Sequence, residues 1–570
     1  MKRLAAQLAV FAFIALTAFV ALPAISADGP VDSAKSVTFN RDVAPIFIKN
    51  CDECHKPNDI APMSLTTYKD ARPWARSIRE MVGTRQMPPW HADPHFGDFS
   101  NNRSLSQKEL DTILAWVDQG AVEGDPKDLP ALPDTVTGWR IGKPDVILTM
   151  PEEYKIAANA PDDYVYITIP TNFKEDKWIQ AAEFQPGNKA VVHHAIAFIQ
   201  PPEIAAMMKA AGPGGAEAAA LGGKNSIFYR DGSLIRVKMD APVIDDGCAN
   251  PNGGSSFGSG SGGMGGMALL AGYAPGKDIE RWEPGTAMKV PAGSNIVFQM
   301  HYSNFRGGAN KPETDRTSLG IIFAKQPPTR MVVAEGVLND YFLIPAGDPD
   351  HEVTACQTLN RDVQVIDYMP HMHLRGKAMK YEAIFPDGRR QTLLWVPKYS
   401  FNWQTVYYLK EPMDLPKGTK LVVTAHFDNS EQNKYNPDPR KQVRWGDPTY
   451  DDMAIGWVHY TVPVPVERVA IKLDPKIYDQ YAGKYEFTPK FAVTVTREGD
   501  RLIGQAPGFP QLELLPESET KFFLKSMNVE LTFVKSESGE VTGLTFNMNG
   551  ITMKAKKSSG AGAASAGPGR

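Results

Sequence analysis

Five histidines and one methionine in the middle of this chain stand in a pattern that suits two metal ions: His193-His194, His301, His371-x-His373 and Met453. Imidazole suits copper and a soft thioether favours its cuprous state, so the set points to two copper ions rather than one zinc. Upstream, Cys51-Asp-Glu-Cys54-His55 has the spacing of a covalently attached c-type haem. Its two thiols would reach the vinyl groups along one porphyrin edge, and His55 would supply an axial iron ligand. Together these residues predict one-electron redox chemistry.

The sixth haem ligand is sought in Arg85-Gln-Met-Pro-Pro-Trp-His91, where two prolines fix an extended loop around Met87. Small c-type cytochromes place their distal methionine in such a loop, and Met/His ligation raises the potential. Met63 is the next candidate, followed by His91 and His95. The competing reading of the cysteine motif is a disulfide or a zinc knuckle, but no second CxxC exists to complete a zinc site.

These side chains need elements to hold them. His371 and His373, one residue apart, project from the same face of a strand. His193 and His194 are adjacent and would point to opposite faces, so both can bind one ion only if the strand ends, twists or bulges there. Alternating apolar runs predict strands at residues 164–169, 189–199, 295–302, 363–368, 421–427 and 454–460. Clusters of Pro, Gly and Asn separate them, as in antiparallel sandwiches, and about 300 residues is too many for one sandwich. Residues 37–124 instead read as a small helical domain. Its segments 71–82 and 106–120 have apolar residues at helical spacing, and Ser106 with Glu109 forms a capping box. The expected fold class is therefore multidomain: an α-helical cytochrome c domain, two antiparallel β-sandwiches, and a small β-rich C-terminal domain. The Gly/Ser-rich insert at 253–266 reads as a flexible loop, with Met264 and the adjoining Met267 as loop residues.

Composition bounds the rest. Of 570 residues, 42% are hydrophobic and 22% charged, ordinary values for a soluble globular protein. Lys and Arg total 61 against 65 Asp and Glu, which gives no electrostatic case for nucleic acid. Of four cysteines, the pair outside the haem motif, Cys248 and Cys356, could form one disulfide in an oxidising compartment. Lys2 and Arg3 precede an apolar run and a small-residue end near Ala27, the layout of a signal peptide over residues 1–27. An uncleaved anchor is the rival reading. A cleaved leader implies a periplasmic or secreted protein with no stable membrane span.

Four motifs then acquire a common meaning. Val191-Val-His-His-Ala-Ile-Ala-Phe198, Gln299-Met-His-Tyr-Ser-Asn304, Pro370-His-Met-His-Leu-Arg-Gly376 and Asp451-Asp-Met453 stand in the order seen in copper type II, ascorbate-dependent monooxygenases. The chain resembles that family, which includes peptidylglycine α-hydroxylating monooxygenase and dopamine β-hydroxylase, from about residue 145 to 463. The resemblance implies two jelly-roll-like sandwiches, at 145–310 and 311–465, facing each other across a solvent cleft. It implies an electron-transferring copper on His193, His194 and His301. It also implies an oxygen-activating copper on His371, His373 and Met453, which makes these three the catalytic set. The several disulfide cysteines of the animal enzymes are missing, which leaves the shape of the substrate pocket open. His351, His426 and His459 match no ligand motif and read as structural. Residues 466–556 resemble a small β domain of unknown function often appended to β-lactamase-like serine hydrolases, and the tail at 557–570 reads as disordered.

The expected function is an exported copper monooxygenase that hydroxylates a C–H bond of a small substrate with O2. Its electrons would come through haem c, recharged by an exported cytochrome or an ascorbate-like reductant. The alternative is a haem and copper electron-transfer or copper-binding protein without hydroxylase activity. Met453 discriminates, since a weak thioether on an open site suits oxygen activation.

Overall fold

The computed structural model describes residues 36–558, except 58–60, 133–137, 159, 161–162, 211–225, 231–232, 238–242, 250–266, 275–276, 278, 304–310, 447, 467, 489–490, 508–510, 525–528 and 549–550. The expected signal peptide, the insert at 253–266 and nearly all of the tail lie outside the described residues.

The N-terminal region folds on short helices, chiefly Ala44–Asn50, Ala75–Gly83 and Gln107–Asp118. The capping box forms as its sequence requires: Ser106 Oγ accepts from the Glu109 N–H, and the Glu109 carboxylate accepts from the Ser106 N–H. The apolar face of that helix, Leu110, Ile113 and Trp116, buries against Phe39 and Phe47 in a core of its own.

The central region is β throughout. One nine-stranded sheet runs in the order Val146–Thr149, Ser318–Phe323, Lys177–Gln185, Thr286–Val290, Arg330–Asn339, Ala454–Pro463, Val363–His371 and Tyr407–Leu415, with Glu280–Arg281 beside Lys177–Gln185. A four-stranded sheet, Asp163–Pro170, Asn295–Tyr302, Val192–Gln200 and Ala268–Tyr273, belongs to its first half. A second, His351–Thr358, Lys420–Phe427, Gly376–Ile384 and Arg390–Val396, belongs to the other half. Two sandwiches are present, but they share one sheet and one hydrophobic core. The junction is a short parallel pairing of Thr286 with Arg330 and Ala287 with Met331. Strand Ser318–Phe323, assigned from sequence to the second sandwich, pairs with strands of the first. Met267, read from sequence as a loop residue, is buried in the shared core.

Cys248 and Cys356 form a disulfide, with Cα atoms 4.9 Å apart. It staples the excursion that follows the first sandwich's strand Val192–Gln200 onto strand His351–Thr358 of the second. The C-terminal region closes into an eight-stranded barrel from Gly483–Thr488 to Ile551–Lys557, with a separate core around Tyr481, Tyr485, Phe522 and Phe533. No helix among the described residues is long and apolar enough to cross a membrane.

Candidate metal centre

His193, His194 and His301 come together through a register break. Along strands Val192–Gln200 and Asn295–Tyr302, His301 pairs with His194 but Tyr302 pairs with Val192, so His193 is the extra residue of a bulge. A bulge re-aims one side chain, and here it turns two adjacent imidazoles to the same place. The three Nδ1 atoms form a triangle with sides of 3.1, 3.2 and 3.4 Å. A point at its centre is about 1.9 Å from each nitrogen, close to a metal–imidazole bond length. This triad could hold a metal ion. Tyr164 backs it, stacked on the His301 ring at 4.2 Å.

The second group is built differently. His371 ends strand Val363–His371, and His373 follows on the same side, their ring centroids 5.2 Å apart. Each Nδ1 is engaged by the protein: His371 with Gln404 Oε1 at 2.8 Å, His373 with the Asp451 carbonyl at 3.3 Å. Those acceptors require Nδ1–H, which leaves each Nε2 lone pair for a metal. Met453 sits buried beside them, positioned by Asp452. The Asp452 carboxylate accepts backbone N–H bonds from His373 at 2.7 Å, Met453 at 2.9 Å and Arg375 at 3.1 Å. One buried side chain thus ties the two-histidine turn to the methionine.

Burial sets the charge state of both groups. It lowers His371 to about 4 and takes His194 and His373 well below the ordinary imidazole range. Neutral imidazole is the form that binds metal. The two groups also share one cavity of about 60 Å³, lined by His194 from the first and by His371, His373 and Met453 from the second. Apolar residues such as Ile196, Met369, Ile455 and Trp457 make up much of its wall. In place of an open cleft, Phe401 stands between the groups, stacked on His193 at 5.5 Å and edge-on to His373 at 5.8 Å. Gln404, Asp452, Phe401 and Tyr164 were not singled out from sequence. Only Asp452 carried a signal, its place beside Met453 in the Asp451-Asp-Met453 motif.

The remaining histidines are engaged elsewhere. His459 lines the same cavity but bonds the buried Asp367 carboxylate at 2.6 Å. Burial alone would lower its pKa, and Asp367 raises it on balance. His351 and His426 lie in ion pairs with Asp245, Asp348, Asp350 and Glu352.

In the N-terminal region, helix Ala44–Asn50 delivers Cys51 directly into a turn in which the Cys54 and His55 N–H groups both bond the Cys51 carbonyl. Cys51 and Cys54 form no disulfide with each other, and burial pushes the Cys51 thiol up to about 12. His55 Nδ1 lies 3.0 Å from the Met63 carbonyl, an arrangement that orients the ring and leaves Nε2 for iron. The residues present therefore fit a covalent haem. Met87 is half-buried just past helix Ala75–Gly83, its N–H bonded to the Met81 carbonyl. His95 is held in an exposed pair with Asp93 at 2.7 Å.

Residues 333–482 match the C-terminal domain of the copper type II ascorbate-dependent monooxygenases. The match supports that family. It covers the second sandwich, including His371, His373 and Met453, and suggests an oxidoreductase of the copper-monooxygenase kind. Residues 467–559 match a domain of unknown function, DUF3471, in agreement with the barrel. A 79-residue stretch is 39% identical to penicillin-binding protein 4* of Bacillus subtilis (strain 168), covering 14% of this chain and 18% of that protein. Among solved structures, PNGF-II aligns over 56% of this chain and 64% of its own, at 8% identity and a TM-score of 0.23. The major capsid protein P2 of bacteriophage PM2 aligns over 56% and 98%, at 9% identity and a TM-score of 0.21. Scores this low carry no fold assignment.

Proposed function

We propose that this chain is an exported copper-dependent monooxygenase that hydroxylates a C–H bond of a small substrate with O2, its electrons supplied through haem c on the N-terminal domain. The observation that carries the reading is the single cavity reached by His194 from one group and by His371, His373 and Met453 from the other. Bound copper would supply one-electron chemistry and a place for O2, and a bound haem would relay one electron at a time, so an exported cytochrome or ascorbate-like donor must supply both electrons of each hydroxylation.

The chain's own residues divide the work. His193, His194 and His301 would hold one ion through three Nδ1 atoms in a ring-packed triangle, which suits electron transfer. His371, His373 and Met453 would hold the other through two imidazoles and a weak thioether, a donor set that suits oxygen activation. Apolar residues such as Ile455 and Trp457 line the cavity beside the second group, so a substrate bound there would meet that site in a partly desolvated space. Cys51 and Cys54 would hold the haem covalently, and His55 and Met87 would be its iron ligands, so that the group supplies one-electron chemistry.

The test is full-length protein matured with haem and loaded with copper. It should contain two coppers and one acid-stable haem per chain, and should place one 18O atom from 18O2 in the product. One copper per chain, or tight zinc instead, sinks the two-site assignment. Two coppers with O2 uptake but no labelled product leaves an electron-transfer protein.

A further inference from the structure

Residues 88–102 leave the N-terminal domain and lie against the second sandwich. The Asp93 N–H bonds the Trp395 carbonyl at 2.8 Å, and the Ser100 N–H bonds that of Tyr408 at 2.9 Å. Asn101 Nδ2 donates to the Val406 carbonyl at 2.7 Å, and the Lys410 ammonium pairs with Asp98 at 2.9 Å. Phe99 is buried within the sandwiches' core, and Trp90 packs on it. Both rings meet Tyr407, Trp90 at 5.0 Å and Phe99 at 5.5 Å, and the Tyr408 N–H bonds Asn101 Oδ1 at 3.2 Å.

Tyr407 closes a short segment, 399–407, from which three side chains, Tyr399, Phe401 and Gln404, reach the two ligand groups. The Tyr399 hydroxyl bonds both the N–H and the carbonyl of Met372, the residue between the two histidines. Phe401 lies between His193 and His373, and Gln404 holds His371. The hydrogen bonds all go to the second group, whereas the first receives only a ring contact.

We propose that residues 399–407 are a positioning strap through which the docked N-terminal domain fixes the His371, His373 and Met453 site, with Gln404 as its point of action on His371. The strap transmits position because Tyr407 is clamped by two aromatic rings and its chain neighbours Val406 and Tyr408 are both bonded by Asn101. Gln404 lies three residues away, and its amide must stay within hydrogen-bond reach for His371 to keep Nδ1 protonated. The proposal rests on the copper reading above only in taking the second group as a metal site.

The test uses the full chain with Trp90→Ala, whose ring packs on Tyr407, and with the conservative Trp90→Phe. With Cu(II) bound, Trp90→Ala should alter the electron paramagnetic resonance signal of the second site and weaken its Cu(I) affinity by at least tenfold. The signal of the His193 site should stay in place, and Trp90→Phe should restore the wild-type pattern. Unchanged signals, or equal change at both sites, would overturn the proposal. A metal-free readout keeps the two readings apart. In 15N-histidine-labelled protein, His371 should be an Nδ1–H tautomer in the wild type and a mixture in Trp90→Ala. If neither group binds copper, the proposed function fails, and the tautomer still decides the strap. Should Trp90→Ala not fold, Asn101→Ala loosens the same dock and must give the same one-sided change.

Discussion

In the first ligand group the metal-facing atoms are three Nδ1 nitrogens that already touch one another, brought there by a bulge between two hydrogen-bonded strands. In the second, the Nδ1 atoms point away from the metal position and are tied to Gln404 and Asp451, while Asp452 fixes the backbone. The first is shaped by backbone register and the second by side chains arriving from loops. A register defect is hard to displace one side chain at a time, so the first group should resist changes around it. The second should fail when any tie is cut. Under the proposed function, the triangle and the tethered pair would take the two tasks of holding an electron and admitting a reactant.

Removing a ligand gives the largest effect and asks whether the groups are independent. His301→Ala should cost one copper equivalent and leave the second site filled, and Met453→Ala should do the converse, as counted by metal analysis of each variant. If either substitution empties both sites, the contrast drawn here collapses into a single cluster. Next comes Asp452→Ala, which strands three buried N–H groups and should cost about 3 kcal/mol or more in chemical denaturation. Copper should be lost from the second site alone. Gln404→Leu cuts only one outer tie and should weaken that site about 10- to 100-fold in competition with a chromophoric chelator. The smallest effect is Tyr164→Leu, which removes the ring behind His301. Losing such a stack costs about 0.5–1.5 kcal/mol, and a larger loss of copper there than with Gln404→Leu at its own site would reverse the expected order of sensitivity.

These differences also explain what could be read from sequence. The His371-x-His373 pair was legible because a strand repeats every two residues, and the structure puts both on one side at a strand end. The His193-His194 pair argued against itself on the same rule. The bulge that resolves it depends on pairing with Asn295–Tyr302, about a hundred residues away, and leaves no local mark. Met453 rested on the softness of its thioether and on its place in the Asp451-Asp-Met453 motif, since one methionine among 21 has no periodicity to single it out. Gln404 and Phe401 had no signal at all, as each acts across a loop on strands elsewhere in the chain. The helix at Gln107–Asp118 was plain from Ser106 and Glu109, because a capping box is a local device. The shared sheet was hidden for the opposite reason: its junction is two residue pairs, Thr286 with Arg330 and Ala287 with Met331.

That junction changes how the molecule comes apart. Two sandwiches joined by a flexible connection can melt one at a time, whereas a common ladder and core, further stapled by Cys248–Cys356, make them a single cooperative unit. Any ion that binds only the folded form then protects the whole unit by mass action, wherever its ligands lie. An ion in the bulged triad would therefore stabilise the fold that presents the second group, and two bound metals would be linked through unfolding without either touching the other. The C-terminal barrel, with its own core, stands outside that linkage.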